Sequence, residues 1–156
     1  MRIGFITAFV ILALGTSSRA ATYQQGGLRV IEPWSRSAAA HTTGAGFLTL
    51  TNIGSKVETL TAIETSAAAR VEMHKTSMTA GIMSMKRLDS GLTLRPGESV
   101  SFAPGGYHLM LVDLSKPLKA GDTFASTLVF LSGTKIKVVF PVKATGPVAT
   151  DHMSHH

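Results

Sequence analysis

From residue 28 to residue 142 the chain is a succession of short runs rich in Val, Ile, Leu, Thr and Phe, each stopped by Gly, Pro, Asn or Ser. No window repeats its apolar residues at the 3.6-residue spacing of an amphipathic helix, and several alternate with a period of two. That pattern restricts the chain to an all-β fold. Cysteine is absent, so no disulfide can brace the strands and packing alone must hold them.

Strands are expected at 28–36, 46–53, 57–63, 70–75, 82–88, 92–94, 99–102, 107–114, 123–131 and 135–142. Pro33 requires an edge position or a bulge in the first of them. The runs at 70–75 and 82–88 read as a hairpin turning at 77–81, and the last two strands as a hairpin through Ser132-Gly133-Thr134. Residues 23–27 read as a polar leader into the domain, and Ala67-Ala68-Ala69 as one turn of helix. Strands at such even spacing imply a two-sheet sandwich with Greek-key connections.

The ends differ from this body. Met1-Arg2 is basic, residues 3–14 are almost entirely apolar, and Ser18 and Ala20 occupy the −3 and −1 places of a cut after Ala20. Residues 1–20 therefore read as a secretory signal peptide, which sends the domain at 21–143 to the periplasm. The apolar run is shorter than the ~20 residues of a membrane span, so no stable membrane insertion is expected after cleavage. Residues 144–156 lose the periodicity and read as a disordered tail. Without Arg2 and Arg19, thirteen basic residues face nine acidic ones, a net +4. The basic residues are scattered, which leaves no footprint for nucleic acid.

The chemistry is concentrated elsewhere. Apart from Met1 and Met153, every methionine lies between positions 73 and 110, and this stretch also holds two of the six histidines. Soft thioethers and borderline imidazoles, with no thiolate and few carboxylates nearby, select Cu(I) over zinc, calcium or magnesium. In the strand at 107–114, His108 and Met110 share a face and lie roughly 6–7 Å apart at the ~3.3 Å rise per residue. Pro104-Gly105-Gly106 gives them a low-bulk approach. Met83 and Met85 share a face of the preceding hairpin, and Met73 and His74 fall on opposite faces. One His and one Met from each region, His74, Met85, His108 and Met110, make a neutral donor set with Met73 and Met83 as alternates. Without thiolate, such a site exchanges its ion readily, as a carrier must. Taken singly, Met73, Met78 and Met83 read as fillers of core gaps.

Glu72-Met73-His74, Gly81-Ile82-Met83-Ser84-Met85 and Pro104-Gly105-Gly106-Tyr107-His108-Leu109-Met110-Leu111 resemble the PCuAC family of periplasmic copper chaperones. That family carries a histidine, ten residues, a methionine, about twenty-one residues and then His-x-Met. Here ten residues separate His74 from Met85 and twenty-two separate Met85 from His108, the extra one falling in loops. Trp34-Ser35-Arg36, the Gly46-Phe47 strand ending at Asn52, and Pro117-Leu118-Lys119-Ala120-Gly121-Asp122 extend the likeness over most of the chain. The resemblance implies a cupredoxin-like sandwich with an exposed Cu(I) site. It also implies delivery toward the binuclear copper centre of cytochrome c oxidase, together with a Sco-type thiol protein. A blue-copper electron carrier is excluded, because that centre needs a cysteine thiolate.

The tail adds His152, Met153, His155 and His156, four candidate ligands in five positions. Some members of the family are similar in carrying such an extension, and its imidazoles suit Cu(II). His41 reads as a solvated loop residue. No Ser-His-Asp set, useful carboxylate pair or phosphate-cradling glycine loop is present, so the chain is expected not to be an enzyme. The competing expectation is a secreted β-sandwich interaction or assembly module whose methionines are structural.

Overall fold

The computed structural model describes residues 20–144. Apart from Ala20 and Ala144, the expected signal peptide and the tail with His152, Met153, His155 and His156 lie outside the described residues. Within them the chain is all-β, as the period-two pattern requires. Eleven strands follow in order: β1 (Thr22–Gln25), β2 (Leu28–Arg36), β3 (Gly44–Asn52), β4 (Glu58–Thr65), β5 (Ala68–Thr79), β6 (Ile82–Arg87), β7 (Leu92–Leu94), β8 (Ser99–Phe102), β9 (Tyr107–Leu114), β10 (Thr123–Phe130) and β11 (Lys135–Lys143).

One layer runs β6-β5-β9-β8-β3-β2, and the other β11-β10-β4-β7. The chain crosses repeatedly between them. The main core joins the layers, with Leu28, Val30, Leu50 and Leu109 from the first meeting Leu60, Leu94, Leu128, Phe130 and Phe140 from the second, and a smaller cluster gathers Ala68, Leu111, Leu114, Leu118 and Val142. Alternation on β11 is complete, since Ile136, Val138, Phe140 and Val142 are buried between exposed neighbours. The layers are also joined by hydrogen bonds into one open mixed sheet. The end of β11 pairs in parallel with the end of β2, Val142 beside Ser35 and Lys143 beside Arg36.

Pro33 stands where β2 changes partner. Residues 28–31 pair with β1, and 35–36 pair with β11. Between them the β2–β3 register slips, and Glu32 takes a left-handed φ of 49°. This is the bulge that Pro33 demands, placed where its missing N–H breaks no ladder. Asn52 at the end of β3 is fully buried and fully bonded. Its Nδ2 donates to the Lys56 and Leu94 carbonyls at 2.7 and 3.1 Å, and its Oδ1 accepts from Gly54 N at 3.0 Å. A Cβ on Gly27 would lie 2.9 Å from the Gly54 backbone, so this crossing admits only glycine.

Three expectations are corrected. Residues 22–25 form a strand, not a leader, with the Tyr23 hydroxyl accepting from Val139 N at 3.2 Å. Ala68 begins β5 opposite Leu114 and forms no helical turn, because burying Ala68 and Leu114 together overrides alanine's helix propensity. The hairpin turn is also tighter than 77–81. Strands β5 and β6 pair as far as Thr79 and Ile82, leaving a two-residue turn at Ala80-Gly81 with φ of 53° and 77°. Two positive φ values in a two-residue turn match the strand twist of a hairpin.

Candidate metal centre

Strand β5 lies between β6 and β9. Its inner face sends Met73, 6 % exposed, into the core opposite Leu109. Met73 is thus a core residue, as it reads when taken singly, and not a ligand. The outer face carries Glu72 and His74. Pairing puts His74 directly opposite His108 on β9 and Glu72 opposite Met110. On the other side His74 faces Arg87 and Thr76 faces Met85. Directly paired side chains emerge on the same face, so His74, Met85, His108 and Met110 all lie on the outer face of three neighbouring strands. Met110 and Met85 are the diagonal neighbours of His74 on its two sides, within reach of long side chains. Met83 lies two residues further along β6, about 13 Å from the level of His74 at the ~3.3 Å rise, so Met85 is the nearer of the two.

The two imidazoles stack with centroids 5.7 Å apart and planes 28° apart. The second nitrogen of each is tied down. His74 Nε2 is 2.9 Å from Glu72 Oε2. The Arg70 guanidinium bonds Glu72 Oε1 at 2.8 Å, and Arg87 approaches the same oxygen at 3.4 Å. The His74 hydrogen bond, followed by the Arg70 bond and the charges of Arg70 and Arg87, holds the Glu72 carboxyl at about 2, far below its ordinary 4.5. An ionised carboxylate only accepts, so His74 Nε2 carries the proton and Nδ1 is bare in the neutral ring. That Nδ1 is buried and has no hydrogen-bond partner. On His108, Nδ1 donates to the Gly106 carbonyl at 3.2 Å, which leaves Nε2 bare. Tying one ring nitrogen to a carboxylate or carbonyl is how proteins fix the tautomer of a metal-binding histidine. A buried nitrogen without a partner is costly unless something binds it.

The remaining donors suit a soft ion. Among the described residues no group of three or more His, Cys, Asp or Glu could hold a metal. The soft donors on this face near His74 are the thioethers of Met85 and Met110. Met85 is 56 % exposed, at the open end, while Met110 is half-buried. Met78 and Met83, read singly as core fillers, are 67 % and 65 % exposed and fill no core. His41 is on the surface, with Nδ1 3.3 Å from Asp113 Oδ1.

Sequence reasoning gave no role to Glu72 or the two arginines. The signal for Glu72 was present, since an acid two residues before a strand histidine shares its face. The approach of Arg87 depends on the β5–β6 register, which no local pattern reveals.

A family model described as "Putative lipoprotein LpqE-like" matches residues 28–142. A relative from Leifsonia xyli subsp. xyli, named "Putative lipoprotein Lxx21020", is 33 % identical over 130 residues, covering 83 % of this chain and 78 % of its own. Among solved structures, a copper-bound PCuAC domain from PmoF2 superposes with a TM-score of 0.68 at 26 % identity, over 80 % of this chain and 98 % of that one. A Cu(I)-loaded protein from Deinococcus radiodurans, DR1885, does so with a TM-score of 0.57 at 28 % identity, over 71 % and 76 %. The expected cupredoxin-like fold is thereby met. With the outer-face His/Met motif set on that fold, the chain belongs to the LpqE-like family, which is the PCuAC family.

Proposed function

We propose that this protein is a copper chaperone that binds Cu(I) through His74, Met85, His108 and Met110 and passes it on without turnover. The observation that carries the reading is the pair of stacked imidazoles, each left with one bare nitrogen by a bond on the other, with buried His74 Nδ1 lacking any partner. The ligating atoms would be His74 Nδ1, His108 Nε2 and the two thioether sulfurs. All four are neutral, so the complex keeps the single charge of Cu(I). The copper-bearing relatives support the choice of ion. The exposure of Met78, Met83 and Met85 counts against the structural-methionine alternative.

Long-range 1H–15N spectra of the histidines test this. Cu(I) is expected to shift His74 Nδ1 and His108 Nε2 while His74 Nε2 and His108 Nδ1 stay protonated. Unmoved imidazole nitrogens at one equivalent would refute the ligand set.

The site of action we propose is the periplasm, supported by the signal-like residues 1–20 and the envelope character implied by the relatives' name. This chain contains no cysteine, hence no thiol on which a thioether-linked lipid could be built. As acceptor we propose the copper-bearing subunit of cytochrome c oxidase, with a Sco-type thiol protein beside it, supported by the family resemblance. The tail histidines His152, His155 and His156, with Met153, are proposed to capture Cu(II). Transfer of Cu(I) from the loaded chain to the soluble copper domain of the oxidase subunit is the corresponding assay, and its absence would remove that acceptor.

A further inference from the structure

Beyond Thr76, whose N–H still donates to the Gly106 carbonyl at 3.1 Å, strand β5 has left β9 and pairs with β6 alone. The distal hairpin is a two-stranded arm, and β6 is exposed along its whole length. Nothing in the core calls for apolar side chains there. Yet the arm carries Met78, Met83 and Met85, all more than half exposed.

Their arrangement is ordered. The tight Ala80-Gly81 turn fixes Met78 directly opposite Met83, and Met85, two residues from Met83, is the diagonal neighbour of Met78. All three emerge on the face that carries His74. The reverse face carries no thioether: Ser77 and Ser84 are hydrogen-bonded there at 3.0 Å, Lys75 pairs with Lys86, and Ile82, opposite Thr79 beside the turn, is its one large apolar side chain, 71 % exposed. Thioethers therefore line one face of the arm, and the row runs toward the two histidines. Three flexible, unbranched side chains at directly opposed and diagonal positions can bring their sulfurs to one point.

We propose that Met78, Met83 and Met85 form a second, all-thioether Cu(I) site that loads the His/Met centre and shares Met85 with it. This rests on the proposed function above and adds a route to it. Neutral sulfurs select the soft ion, and without imidazole or thiolate they hold it weakly. Transfer is a ligand exchange. The Cu–S bonds to Met78 and Met83 break, bonds to His74 Nδ1, His108 Nε2 and Met110 sulfur form, and the Cu–S bond to Met85 persists. Copper stays Cu(I) and no electron moves.

All strands of the described residues lie between Thr22 and Lys143, so the chain from Ala21 to His156 keeps all eleven of them and also the tail. With 13C-labelled methionine methyls and anaerobic Cu(I), the first equivalent is expected to shift Met85 and Met110. The second is expected to shift Met78 and Met83 and to move Met85 again. The double substitution Met78→Leu with Met83→Leu should abolish the second event and slow loading from a Cu(I)–bicinchoninate complex several-fold, with the affinity of the first equivalent unchanged. Met78 and Met83 methyls that stay still through two equivalents would overturn the proposal, as would a second equivalent seen only at Met153. Should the first equivalent leave Met85 and Met110 unmoved, the His/Met centre itself fails, which is a separate result.

Discussion

Nδ1 of His74 is one of only two buried side-chain polar atoms without a partner among the described residues. Glu72 is the residue that makes it so, by taking the proton-bearing Nε2. Removing Glu72 should therefore weaken Cu(I) binding without changing its stoichiometry. For Glu72→Ala the expected loss is about 10–100-fold in affinity, the usual effect of deleting a partner behind a metal-binding histidine. Glu72→Gln keeps an oxygen acceptor and should recover part of it, as competition with a Cu(I) chelator would show. Glu72 also predicts a pH effect. Its folded-state value of about 2 lies below the ordinary 4.5, so its stabilisation is complete above 4.5 and fades as pH falls toward 2. The urea midpoints of wild type and Glu72→Gln should converge across that window, and a constant gap would contradict the assignment. At this scale His74, His108 and Met110 were legible as ligand candidates in the sequence, from residue type and period-two spacing. The choice of Met85 over Met83 was not, because it depends on which residue of β6 stands opposite Thr76.

The hairpin is the element on which the site depends. Its turn holds Ala80 at a φ of 53°, a conformation that costs a side-chain-bearing residue roughly 1–2 kcal/mol and that asparagine tolerates better. Ala80→Asn creates Asn-Gly, the preferred sequence for such a turn. It should slow amide hydrogen exchange at the Met78–Met83 and Thr79–Ile82 pairs, and faster exchange would refute this reading of the turn. The sequence placed the hairpin correctly but ended its first strand early. Residues 76–79 are polar or exposed and none of them is buried, so the hydrophobic alternation by which strands are recognised stops before the strand does. The same cause hid β1, whose four residues are mostly exposed and are held by backbone pairing to β2.

Across the whole molecule the all-β character was legible because most strands bury one face, and alternation survives in the letters. The joining of the two layers was not, since it rests on two parallel residue pairs at the ends of β2 and β11 that leave no local trace. The core that joins the layers also supports the site. Leu109, 1 % exposed, lies between His108 and Met110 in sequence and faces inward. Leu109→Ala should cost about 2–5 kcal/mol, read from urea unfolding. In the parent, Cu(I) should raise the melting temperature, as any ligand confined to the folded state must.

Of these proposals, the one that decides the rest is that Cu(I) is held on the outer face of β5, β6 and β9 and not by the tail. Anaerobic Cu(I) titration of residues 21–143 against a competing chelator tests it, alongside the same chain carrying His108→Ala and Met110→Ala. One tight equivalent is expected for the parent and none for the double variant. A parent that takes up no tight equivalent, or a variant that binds as the parent does, would contradict it.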